Sequence, residues 1–161
     1  MNRRTTLMLA SVTLFGWAIA GTQPALAQSN LPMGVWQLNL AKSKYEGAPA
    51  PKAQIAYYQG EGQNRTNTVI AINPEGKPTV SVFMHIYDGQ SHPTTGNPAF
   101  DASTYTRVDA NTLNFSRLKA GKVVQTGTQV MSQDGKSYTT TTTGTDERGR
   151  QIHSVAVSEK Q

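Results

Sequence analysis

The chain has 161 residues, of which 37% are hydrophobic and 7% aromatic, with fourteen Gly, eight Pro, no Cys and a formal net charge of +5. Without cysteine there are no disulfides, and a lipid-anchored lipoprotein is excluded because it needs a Cys at its cleavage site. The fifteen Lys and Arg are scattered, with no basic run and no interleaved aromatics, so nucleic acid is not an expected partner.

The N-terminus reads MNRRTTLMLASVTLFGWAIAGTQPALAQSN. Arg3 and Arg4 supply a positive start, residues 7–20 are mostly apolar, and Ala25-Leu26-Ala27 is the small-x-small pattern that a signal peptidase admits. Residues 1–27 are therefore predicted to be a secretory signal cut after Ala27, leaving 28–161 as a single domain. The apolar run is too short to cross about 30 Å of hydrocarbon and ends in Thr22-Gln23-Pro24, so no integral membrane segment is expected after cleavage. The expected location is a bacterial periplasm or the medium.

Downstream, turn signals recur at intervals of roughly ten residues, and the segments between them alternate with period two. MGVWQLNL (33–40) is a predicted strand, and AKSKYEGAPAPK (41–52) a connection with one helical turn at its start. AQIAYYQG (53–60), RTNTVIAIN (65–73) and PTVSVFMHIYD (78–88) follow, the last two joined by the turn Asn73-Pro74-Glu75-Gly76. YDGQSHPTTGNP (87–98) reads as a long link at a barrel mouth. Asp88-Gly89 is a turn signal, Pro93 pushes His92 toward extended geometry, and Gly96-Asn97-Pro98 is a second turn. His92 and Asn97 become candidate rim residues. ASTYTRV (102–108), TLNFSRLK (112–119), KVVQTGTQVMSQ (122–133), KSYTTTTTGT (136–145) and RQIHSVAVS (150–158) are the remaining strands.

Antiparallel strands with short links hide their edges best by closing on themselves, so the predicted fold is all-β, an up-and-down barrel of about 8–10 strands, with a β-sandwich as the alternative. Two-residue links at Ala120-Gly121 and Asp134-Gly135 set Phe115 opposite Thr126 and Val130 opposite Thr139. This pairing turns Tyr105, Arg107, Leu113, Phe115, Arg117, Val124, Thr126, Thr128, Val130, Thr139, Thr141, Thr143, Ile152, Ser154 and Ala156 toward the lumen. Gln125, Gln129, Met131 and Tyr138 then face water.

Gly34-Val35-Trp36, with Trp36, Leu38 and Leu40 sharing a face, resembles the opening motif of lipocalins and fatty-acid-binding proteins, in which a Trp plugs the barrel floor. The chain departs from the lipocalin pattern in having no clear counterpart of the arginine that packs on this Trp. The GVWQLN and SKY segments and YDGQSHPTTGNP also resemble a group of small exported bacterial proteins of unknown function, over nearly the whole of residues 28–161. That resemblance implies an exported all-β domain and brings no catalytic residues with it.

No catalytic constellation is expected. The ten carboxylates fall in turns, at strand ends or in the tail, away from the shielded setting that acid–base hydrolysis needs. His85, His92 and His153 are too dispersed for a metal site, no Ser sits in a Gly-x-Ser-x-Gly elbow, and no cofactor motif is present. An enzyme reading would need His85 or His92 to meet an acid such as Asp88 or Asp101. The five threonines at 139–143 read as an ordinary β-branched strand. The strongest lead is Arg107 and Arg117 with Tyr105 between them, because inward guanidiniums without carboxylates demand an anion. The expected function is non-catalytic binding of a small anionic or amphipathic molecule, with Arg107, Arg117, Tyr105, Phe115 and Trp36 as lumenal candidates. The alternative is a protein-binding module, such as an inhibitor or envelope-assembly factor, on the same barrel.

Overall fold

The computed structural model describes residues 32–62 and 64–161, so the predicted signal at 1–27 lies outside the described residues. Ten antiparallel strands make up the domain: β1 Gly34–Glu46, β2 Ala53–Glu61, β3 Asn64–Ile72, β4 Pro78–Ile86, β5 His92–Thr95, β6 Ala102–Arg107, β7 Thr112–Lys119, β8 Lys122–Met131, β9 Ser137–Thr145 and β10 Gln151–Lys160. Each pairs with its neighbours in sequence, and β1 pairs with β10 to close the barrel. Closure, rather than the sandwich, leaves no strand edge unpaired.

Period-two patterning drives this directly. In β4, Ser81, Phe83 and His85 are buried while Val80 and Met84 face solvent. The β7–β8 link is a two-residue turn with positive φ at both Ala120 (48°) and Gly121 (76°), the geometry that matches strand twist in a tight hairpin.

Three expectations need correction. First, the predicted connection at 41–52 opens as strand, because β1 runs on to Glu46. Its register with β10 jumps between Asn39 and Lys44. Side chains replace the lost ladder there: Ser43 Oγ donates to Asn39 O at 2.7 Å and accepts from Val157 N at 2.9 Å, and Asn39 Oδ1 accepts from Lys42 N at 3.1 Å. Second, the stretch at 87–98 is not simply a link. Its centre is β5, where Thr94 and Thr95 pair with Phe83 and Val82 of β4, and His92 and Pro93 pair with Ser103 and Ala102 of β6. The strand is too short to show strong alternation, and Pro93 masks it further.

Third, the face assignment slips by one residue along β8 and β9. The hairpin starts as expected, with Lys119 facing Lys122 and Leu118 facing Val123, but Arg117 then faces Gln125. Val124 is an extra residue, a bulge, and every side chain beyond it changes face. Phe115 therefore faces Gly127 rather than Thr126. Gln125, Gln129, Met131 and Tyr138 are buried, whereas Thr126, Val130 and Thr143 are exposed. Val130 does face Thr139 as expected. A second one-residue offset at the β9–β10 link returns Ser154 and Ala156 to the lumen wall.

One end of the barrel is plugged. Trp36 packs with Ala56, Tyr58, Met131 and Tyr138, its ring 5.0 Å from that of Tyr138, and its Nε1 donates to Met33 O at 3.2 Å. Lys160 Nζ lies 5.8 Å from the Trp36 ring centre, so a lysine of the last strand supplies the cation packed on this Trp. The opposite end, framed by the β1–β2, β3–β4, β5–β6 and β9–β10 links, is the mouth.

Candidate functional site

A cavity of about 220 Å³ lies inside the barrel, walled by rings of Tyr58, Phe83, His85, Tyr105, Phe115 and Tyr138 and by polar groups of Asn67, Arg117 and Gln129. A second hollow of about 350 Å³ occupies the mouth. The two share Asn97, Phe100, Arg117, Thr142 and Ser154, which places Arg117 at the neck between them.

Arg117 projects inward from β7. Its Nη1 donates to Gln125 Oε1 at 2.9 Å, and Gln125 Nε2 donates onward to Thr145 O at 2.8 Å. The Val124 bulge is what turns Gln125 inward to make this relay. The guanidinium carbon lies 4.8 Å from the ring centres of both Phe100 and Phe115 and 5.9 Å from that of Phe83, a cation cradled by aromatic faces. Gly127 makes room: a Cβ there would clash with Thr141 O and with the Phe115 ring. Arg117 Nε is buried without a hydrogen-bond partner, and among the described residues no carboxylate forms a salt bridge with Arg117. Burial pulls the guanidinium below its usual pKa, and Tyr105 and Tyr58 act in the opposite direction. Arg117 nonetheless stays a cation across the physiological range.

Deeper in, His85 from β4 is only 3% exposed. Its ring stacks on Tyr105 at 3.8 Å and 26°, and meets Tyr58 edge-on at 5.3 Å. Burial first, then the nearby charges of Arg117 and Arg65, hold its pKa down at about 3, so the imidazole is neutral. Its Nδ1 has no hydrogen-bond partner, and neither does Oδ1 of Asn67, which is 6% exposed. Tyr58 hydroxyl accepts from Gln129 Nε2 at 3.0 Å, and burial pushes the Tyr105 phenol up to about 12.

The structure thus brings together Tyr105, Phe115 and Arg117 from the sequence-derived set. It separates Arg107, which ends β6 at the plugged end, is exposed, and lies far along the hairpin from Arg117. Trp36 belongs to the plug rather than to the cavity wall. The two rim candidates part company as well. Asn97 lines both hollows, but His92 starts β5 and holds Asp88, with Nε2 at 2.9 and 3.1 Å from the two carboxylate oxygens. That His–Asp pair touches neither hollow. Among the described residues no group of three or more His, Asp or Glu gathers as a metal site would require.

Sequence reasoning did not place His85, Asn67, Gln125 or Gln129 at the binding site. His85 and Asn67 carried a readable signal, a polar residue at an inward position of an otherwise apolar strand face; Gln125 and Gln129 did not, because the bulge hid their direction.

No family model matches the chain, and no curated protein matches it. Among solved structures, a zebrafish ileal bile acid-binding protein complexed with cholic acid aligns with a TM-score of 0.47 at 13% identity, over 80% of this chain and 98% of that chain.

Proposed function

We propose that this barrel is a non-catalytic binding protein for a small organic anion, held at Arg117, and that it acts after export, in a periplasm or outside the cell. The observation that carries the reading is Arg117 itself. Arg117 is half-buried, with one donor engaged by Gln125, a buried Nε left unpartnered and no carboxylate in salt-bridge range, an arrangement that is costly unless an anion completes it. The neck position supports this, because Arg117 stands where the mouth hollow opens into the inner cavity. A cavity of about 220 Å³ also falls below the roughly 300–1,000 Å³ typical of drug-sized ligands, which favours a compact occupant.

The rival role as a protein-binding module draws on the outer wall. Ile55, Ile70 and Val80 lie side by side across β2, β3 and β4 and remain exposed. Exposed Met84 extends the row along β4, but Thr66 and Thr68 interrupt it on β3, whereas the lumen is hollow, so the internal site is the stronger candidate.

The test is calorimetric titration of short monocarboxylates into the exported protein and into Arg117→Met. Binding to the native protein, weakened about 10- to 100-fold in the variant, is expected for loss of a charge-assisted hydrogen bond. Equal binding by both proteins refutes the role of Arg117.

A further inference from the structure

Arg117 Nε is not the only buried atom at the cavity with hydrogen-bonding capacity to spare. Asn67 Oδ1 and His85 Nδ1 are unpartnered on residues more than nine-tenths buried, and both residues line the same cavity as Arg117. We infer that the occupant is a compact flat-ring carboxylate bearing a hydroxyl at the end remote from its carboxylate, and not a long-chain amphiphile. This rests on the proposal that Arg117 receives an anion.

Three observations converge on it. Polarity is the first. Asn67 Oδ1 is an acceptor only, so it takes a hydrogen from its partner, and a neutral imidazole offers one acceptor and one donor nitrogen. A hydroxyl satisfies either group, whereas an alkyl chain leaves both desolvated against hydrocarbon, a loss of about tenfold or more in affinity for each. Spacing is the second. The Phe83 ring neighbours both ends, 5.9 Å from the Arg117 guanidinium carbon and 6.3 Å from the His85 ring centre. Asn67 is the cross-strand partner of Phe83. The carboxylate end and the hydroxyl end therefore border the same ring, within reach of a single-ring ligand. The wall is the third. Tyr58, Phe83, Tyr105 and Phe115 present edges and faces at varied tilts, which suit a flat ring by offset or edge-on contact. Val69 and Ala156 are the aliphatic side chains on this wall, so an alkyl chain would find few aliphatic neighbours.

The test is a competition series on the full exported protein with 4-hydroxybenzoate, benzoate and octanoate, repeated on Asn67→Ala. The expected result is 4-hydroxybenzoate tighter than benzoate by about tenfold or more, benzoate tighter than octanoate, and a reduced hydroxyl advantage in Asn67→Ala. Equal affinity for 4-hydroxybenzoate and benzoate, or octanoate binding best, overturns the inference while leaving an anion site at Arg117 in place. No binding of any of the three by the native protein overturns both. The comparison on the unaltered chain decides between these outcomes even if Asn67→Ala fails to fold.

Discussion

Acid should destabilise this barrel through one histidine. His85 is buried among Tyr58, Phe83, Tyr87 and Tyr105, with its pKa held at about 3 against an ordinary 6.5. Above pH 6.5 both folded and unfolded chains carry it neutral, and it contributes no pH dependence. As pH falls below 6.5, the unfolded chain takes up a proton that the folded chain refuses, so stability drops by about 1.4 kcal/mol per pH unit until the folded pKa is reached. Between pH 6.5 and 5 the loss is about 2 kcal/mol, in a window still above the ordinary range of Asp and Glu. His85→Phe keeps a ring in the stack and removes the titration. Urea unfolding followed by the fluorescence of the buried Trp36 should show the native protein losing about 2 kcal/mol more than the variant across that window. Parallel pH profiles would show that the imidazole is not held neutral by burial, and the reasoning would fail.

Three further outcomes follow from the geometry. Gly127→Ala places a methyl against Thr141 O and the Phe115 ring, so it should lower stability by about 1–3 kcal/mol in thermal unfolding and weaken anion binding by shifting the cradle of Arg117. Ala120→Gly relieves a left-handed alanine in the β7–β8 turn and should raise stability by about 1 kcal/mol, read as an increase of several degrees in Tm. Arg107→Ala should leave calorimetric carboxylate affinity unchanged, because Arg107 is exposed at the plugged end; a large loss would place the anion site elsewhere.

The barrel was legible because its signals are local and repeated. Asn73-Pro74-Glu75-Gly76, Ala120-Gly121 and Asp134-Gly135 mark turns by their own backbone preferences, and alternation in segments such as 78–86 needs no knowledge of partners. Trp36 on the first strand was readable for the same reason. What was not legible depends on register. Val124 looks like any other strand valine, yet as a bulge it exchanges the faces of β8 and β9 and turns Gln125 from solvent to Arg117. The intuition that amides face water then pointed the wrong way, since Gln125 and Gln129 bond Arg117 and Tyr58 inside the barrel. Arg117 was identified correctly as inward because β7 precedes the bulge. Arg107 shares that inward parity, but parity carries no information about depth, and its position at the end of β6 leaves it in solvent.

The central claim, that the lumen receives an anion at Arg117, is tested most directly by NMR of the arginine side chains. Arg117 Nε is buried and without a protein partner, so its Nε–H signal should shift progressively and saturably as benzoate is added, while the signal of exposed Arg107 stays in place. Saturable binding of benzoate that leaves the Arg117 Nε–H signal unmoved would contradict it.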